Sequence, residues 1–241
     1  MEDIKGNLDK VHGRIADAAS RAGREASDVV LVAVSKTRTP EEINTAIDAG
    51  VTDIGENKVQ EIMDKYDAVK PVKWHMIGHL QTNKVKYIID KVDLIHSVDS
   101  LKLAKEINKR AAQHEKVMDI LIQINPAQEE SKFGVSLEET KVLLQEILDT
   151  CENIRICGLM SVAPIAEDPN DVRVYFDEVK KQYDELGRIE HPRLSFQYLS
   201  MGMSHDFEVA IEAGSNLIRV GSAIFGERDY AAFRRMNHGG N

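Results

Sequence analysis

Most of the features that would place a chain of 241 residues in a specialised class are missing here. No stretch approaches the roughly 20 consecutive apolar residues that a membrane-spanning helix needs. The first twenty residues mix acids and bases and contain no apolar run, so the pattern of a secretory signal is absent too. There is no basic excess: 31 Lys and Arg stand against 40 Asp and Glu, a formal charge of -9, which argues against a nucleic-acid binder. Cysteine is scarce. Cys151 and Cys157 lack zinc-ligand or redox spacing, and they fit a reduced, cytoplasmic compartment. Neither a linker nor a low-complexity stretch interrupts the chain. What remains is an ordinary soluble globule with 42% hydrophobic residues and a mean hydropathy of -0.33. Such a chain buries roughly three quarters of its unfolded surface and needs no disulfide or metal to hold a core.

What is present is a rhythm. Ile4, Leu8, Val11, Ile15 and Ala18 recur at spacings of four and three and predict an amphipathic opening helix, with Gly23 as its stop. Eight short apolar runs follow: Val29 to Lys36, Thr52 to Asn57, Lys73 to His79, Asp93 to Ser100, Met118 to Asn125, Ile154 to Val162, Leu194 to Gly202 and Asn216 to Gly226. Candidate helices lie between them, among them Pro40 to Ala49, Leu101 to Glu115, Leu137 to Asp149, Val172 to Leu186 and His205 to Ala213. Thr39-Pro40 followed by acids, and Ser136 with Glu139 three residues on, are helix-start signals. Eight strand–helix units averaging about 27 residues predict a single (β/α)8 TIM barrel spanning residues 1–241, with an extra N-terminal helix and no second domain. The near-continuous apolarity of the runs suits strands buried on both faces. An open doubly wound sheet competes, but no Gly-rich turn follows the first strand, where VSKTRTP stands instead. A short cap is expected at Tyr230 to Met236.

In such a barrel the chemistry sits at the carboxyl ends of the strands. Lys36 ends the first run, Glu56-Asn57 the second and His79 the third. His96-Ser97, Asn125 and Met160-Ser161 end the next three. A lysine where an apolar strand meets the barrel mouth is either snorkelling to water or, among apolar walls and other cations, nucleophilic toward carbonyls. After the eighth strand, Arg219 is followed by Gly221 and Ser222, the usual barrel place for a phosphate. Ser200, Gly202 and Ser204 on the neighbouring loop add two hydroxyls and a glycine. A lysine on the first strand, this phosphate cup and an adjacent arginine describe a pyridoxal 5'-phosphate site. Lys36 would form the Schiff base, and Arg219 would face the pyridine nitrogen. His75 and His79, four apart, form no zinc pattern on a strand. Glu56 is either a general base or an acceptor for backbone and lysine donors, and Met160, Met201 and Met203 pack a flat ligand or the core.

The segments AVSKTRTPEEI, GENKVQE, WHMIGHLQTNK, GLMSVAP, LSMGMSHDFEVAIEAGS and IRVGSAIFGER, in this order, resemble the pyridoxal phosphate homeostasis protein family (YggS/PROSC-like) over nearly the whole chain. The resemblance implies a fold-type III barrel like the N-terminal domain of alanine racemase, with pyridoxal phosphate on Lys36. It further implies contacts from Asn57, Ser200, Gly202, Ser204, Arg219, Gly221 and Ser222, with Met160 and His79 nearby. Lys132, in Ser131-Lys132-Phe133-Gly134, matches a family segment without an assigned role here. The implied activity is that of a carrier or buffer of the cofactor, with pyridoxal-phosphate-dependent apo-enzymes as partners, no nucleic acid or membrane, and a monomer as the default state. A racemase needs a base on each face of its substrate, and only Lys36 is placed. A weak single-domain amino-acid racemase is the alternative, and a cofactor-free Schiff-base aldolase using Lys36 on a phosphorylated sugar comes third.

Overall fold

The computed structural model describes residues 3–227, so the cap expected at Tyr230 to Met236 lies outside the described residues. In chain order the helices and strands are α1 (Ile4–Arg21), β1 (Val30–Val34), α2 (Pro40–Asp48), β2 (Asp53–Glu56), α3 (Val59–Lys65), β3 (Lys73–Met76), β4 (Leu94–Val98), α4 (Leu101–Gln113), β5 (Met118–Ile124), α5 (Leu137–Thr150), β6 (Ile154–Ser161), α6 (Arg173–Leu186), β7 (Leu194–Met203), α7 (Phe207–Glu212), β8 (Leu217–Val220) and α8 (Ser222–Phe225). The eight strands pair in sequence order, all parallel, and β1 closes on β8. This is the expected barrel with its extra helix in front.

Local chemistry accounts for the helix starts. The Thr39 side chain accepts the Glu42 N–H while Glu42 returns to the Thr39 N–H, and Ser136 and Glu139 repeat the arrangement at α5. Ile4, Leu8, Val11, Ile15 and Ala18 are buried on one face of α1, which packs on α2, α7 and α8. Each of its larger apolar side chains contributes roughly 1.5–3 kcal/mol by leaving water. Arg14 pairs with Glu208 and Arg21 with Glu212 across the same contact, and Arg24 donates to the carbonyls of Ile211 and Ser215.

Two cores result. The larger lies between strands and helices; the smaller, Val32, Leu94, Leu121, Cys157, Met160 and Leu217, fills the barrel itself. Two expectations need correction. The third strand stops at Met76, three residues before His79, and the link from it to β4 is a 3-10 helix (Thr82–Tyr87) rather than an α-helix. Its sequence begins Thr82-Asn83, and asparagine favours turns and caps over helix interiors, while Val85, Ile88 and Ile89 anchor it in the core.

Candidate functional site

A cavity of about 380 Å³ opens at the carboxyl ends of the strands, within the size range of small-molecule sites. Lys36, Asn57, Ser204, Arg219, Gly221 and Ser222 line it, as the sequence suggested. So does Met203, expected against a flat ligand or in the core, and so do Val34, Arg38, Ile77, Val162, His205 and Gly226, which sequence reasoning did not single out. For Val34, Ile77 and Val162 a signal was available, since each sits at or just past a strand end; Arg38 and His205 carry none without the fold.

Four expected contacts do not line the cavity. Ser200 is fully buried beneath Arg219, whose Nη1 donates to Ser200 Oγ at 2.5 Å. Gly202 has φ +92 and faces α7, where an added Cβ would come within 2.7 Å of Ala210 and 2.8 Å of the Phe207 backbone. It is a packing glycine. Met160 belongs to the barrel core. Val162, just past the end of β6 and packed against the same core, takes the cavity position instead. His79 is exposed because β3 ends early. Its ring stacks on Phe133 with centroids 3.7 Å apart, and its Nδ1 lies 3.9 Å from Asp99, whose carboxyl burial pushes above the usual range. The two histidines of the third segment thus have unrelated surroundings, because His75 is buried and bonded to Asp53 and His96.

The turn that carries Lys36 is gripped from behind. Ser35 donates its hydroxyl to Glu56 Oε1 at 2.8 Å, and the Ser35 carbonyl accepts from Lys65 Nζ at 3.0 Å. Lys65 also meets Glu56 Oε1 and Glu61 Oε2, each at 2.8 Å. Glu61 Oε2 in turn accepts the Thr37 N–H at 2.6 Å, holding Thr37 at φ +65, where a side chain is strained. Glu56 is therefore an acceptor for lysine and hydroxyl donors, as strand-end acids commonly are. Burial raises its pKa, and Glu61 opposes the lowering effect of Lys65. Lys36 itself is half-buried at the cavity wall.

Arg219, also lining the cavity, is 4% exposed, with Nη2 on the Ser161 carbonyl at 2.8 Å. Burial lowers its pKa to about 10, so it stays a cation and a pure donor near neutrality. Ser204 Oγ accepts the Gly221 N–H at 3.1 Å and joins the loop after β7 to that after β8. The internal bonds of α8 begin with the Ile224 N–H, so the earlier amides of Ser222 and Ala223 face the loop end. Arg38 closes the remaining side, with Nη2 on the Gly226 carbonyl at 2.6 Å. Asn57 is held by Gly78, where a Cβ would lie 2.3 Å from the Asn57 carbonyl, and its Oδ1 is buried without a partner among the described residues. Across the mouth, Lys132 Nζ reaches the Ala163 carbonyl at 2.9 Å and Glu129 at 2.9 Å, bracing two loops together. Among the described residues no three metal-ligating side chains gather, and no helix is long and apolar enough to cross a membrane.

Residues 7–229 match the family described as alanine racemase, N-terminal domain. A protein of Aquifex aeolicus named "Pyridoxal phosphate homeostasis protein" is 47% identical over 225 residues, covering 92% of this chain and 97% of its own. One of Escherichia coli K12 with the same name is 37% identical over 243 residues, covering 96% and 99%. Among solved structures, PipY of Synechococcus elongatus with PLP bound superposes with a TM-score of 0.75 at 31% identity, covering 88% of this chain and 100% of that one.

Proposed function

This chain belongs to the pyridoxal phosphate homeostasis proteins, built on the alanine racemase N-terminal domain, and we propose that its barrel mouth stores pyridoxal 5'-phosphate for other proteins without turning over a substrate. The observation that carries this reading is that Lys36, Arg219 and the Ser204–Gly221–Ser222 corner line one and the same cavity.

The residues present fit the cofactor. The cavity volume suits a single flat ring with one phosphate. The buried Oδ1 of Asn57, without a partner among the described residues, is a polar group that calls for a ligand. When bound, the cofactor supplies an aldehyde that condenses with a primary amine, and a phosphate that ligates hydroxyls and amides. Lys36 would provide the amine, and its approach is set by the Glu56–Lys65–Glu61 cluster that fixes Ser35 and Thr37 on either side. Ser204, Ser222 and the backbone amides at the start of α8 beside Gly221 would hold the phosphate, with Arg38 adding positive charge nearby. Val34, Ile77, Val162 and Met203 would exclude water from the ring.

Arg219 favours storage over turnover, though racemases tolerate the same arrangement. It can only donate, so a ring nitrogen facing it stays unprotonated and is a poor electron sink. Ser200, Gly202, Met160 and His79 would act indirectly, by supporting Arg219, packing α7, filling the barrel floor and bracing the rim. Apo-enzymes that need the cofactor would be the partners.

The test is an absorbance spectrum of purified protein given pyridoxal phosphate, then borohydride reduction and peptide mapping. A yellow protein labelled at Lys36 is expected, with no D-alanine formed from L-alanine. A colourless protein refutes the reading, and steady turnover of alanine replaces storage with racemisation.

A further inference from the structure

Beneath the cavity a file of buried side chains crosses the barrel. Arg219 Nη1 meets Ser200 Oγ at 2.5 Å, and Ser200 Oγ meets His96 Nδ1 at 3.0 Å. His96 Nε2 lies 2.9 Å from His75 Nδ1, and His75 Nε2 lies 2.9 Å from Asp53 Oδ1. Asp53 Oδ2 also accepts the Thr52 hydroxyl at 2.6 Å. His96 and Ser200 are fully buried, and His75 and Asp53 nearly so. The strands β2, β3, β4, β7 and β8 each contribute one member.

The two ends dictate the polarity of the file. A guanidinium only donates and an ionised carboxylate only accepts. Burial, reinforced by His75 and Arg219, drives the His96 pKa well below its usual value, so its ring is neutral. Burial alone would raise the Asp53 pKa, but the hydrogen bonds from His75 and Thr52 outweigh it and keep the carboxyl ionised. With one proton on each ring a single pattern satisfies every contact. Arg219 donates to Ser200, Ser200 to His96 Nδ1, His96 Nε2–H to His75, and His75 Nε2–H to Asp53. The reverse tautomers would set a bare nitrogen lone pair of His75 against the Asp53 carboxylate.

Among the described residues no carboxylate forms a direct ion pair with Arg219, so the file is its hydrogen-bonded route to a negative charge. We propose that Asp53, His75 and His96 are positioning residues for the bound cofactor: acting through Ser200, they turn its hydroxyl proton away from Arg219 and thereby fix the guanidinium that faces the ring. This rests on the function proposed above. None of the three lines the cavity.

Two measurements test it. In the ligand-free protein, long-range proton–nitrogen NMR at pH 7.5 should show both His75 and His96 as Nε2–H tautomers. Nδ1–H on either ring, or a doubly protonated His75, overturns the file as drawn. In Asp53→Asn, the dissociation constant for pyridoxal phosphate should rise roughly threefold to thirtyfold. The inhibition constant of inorganic phosphate against cofactor uptake should stay within about twofold, because the phosphate corner is untouched. Equal weakening of both, or no weakening of cofactor binding, refutes the positioning role. A wild-type protein that takes up no pyridoxal phosphate removes the proposed function and this role with it. The tautomer signals, read without ligand, distinguish that failure from a failure of the file alone.

Discussion

Lys65→Met removes the one ammonium from a buried cluster that otherwise holds two carboxylates. Lys65 Nζ serves Glu56, Glu61 and the Ser35 carbonyl at 2.8, 2.8 and 3.0 Å, and Glu56 is fully buried. Methionine keeps the stem's volume, so packing changes little. What is lost is the compensation of a buried charge, which costs about 3–5 kcal/mol when one partner of such a pair is deleted. The cost depends on pH with a definite sign. The folded-state pKa of Glu56 already lies above its ordinary value, and without Lys65 it rises further. A carboxyl raised in the folded state binds its proton more tightly there than in the unfolded chain, so stability is lost as pH rises through the folded pKa and regained as pH falls. Urea denaturation should therefore show the full deficit at pH 8 and a smaller one at pH 5.5. Adding Glu56→Gln to Lys65→Met should recover part of it at pH 8. A deficit below about 1 kcal/mol, or one equal at both pH values, would refute the assignment of buried-charge imbalance to this cluster.

Other outcomes follow from single sites. Lys36→Ala should abolish the borohydride-fixed label while leaving weak, reversible cofactor uptake measurable by equilibrium dialysis, because the Ser204–Gly221–Ser222 corner is independent of the amine. Gly202→Ala should destabilise by about 2–4 kcal/mol in thermal or urea unfolding, since φ is +92 and the new Cβ meets Ala210 and Phe207. Burial pushes the Cys157 thiol up to about 12, and it is 1% exposed, so iodoacetamide should leave it unmodified in the folded protein at pH 8 and alkylate it promptly in urea.

Elements that repeat a local rule were legible in the chain. The buried face of α1, the caps at Thr39 and Ser136, the eight apolar runs and their parallel order all follow from period, cap chemistry and unit length. So did the cavity roles of Lys36, Asn57, Ser204, Arg219, Gly221 and Ser222, because a barrel exposes its strand ends on one face. The expected contacts that fall outside the cavity are those for which depth had to be known as well as direction. Met160 lies inside β6 and Val162 just past its end; Ser200 is buried within β7 while Ser204 follows it at the cavity; and the early end of β3 moved His79 to the rim. A period of two tells which face a residue occupies and says nothing of how far along the barrel axis it sits.

The sequence by itself determined the barrel, its order and the strand ends that bear the chemistry, since these depend on neighbours within a few positions. Tertiary structure alone decided which buried groups meet. Asp53, His75, His96, Ser200 and Arg219 are spread over more than 160 positions of the chain, and Lys65 reaches back 30 residues to Ser35. Such contacts depend on strand tilt, stagger and bulges that set the height of each inward side chain, and no local pattern encodes those heights.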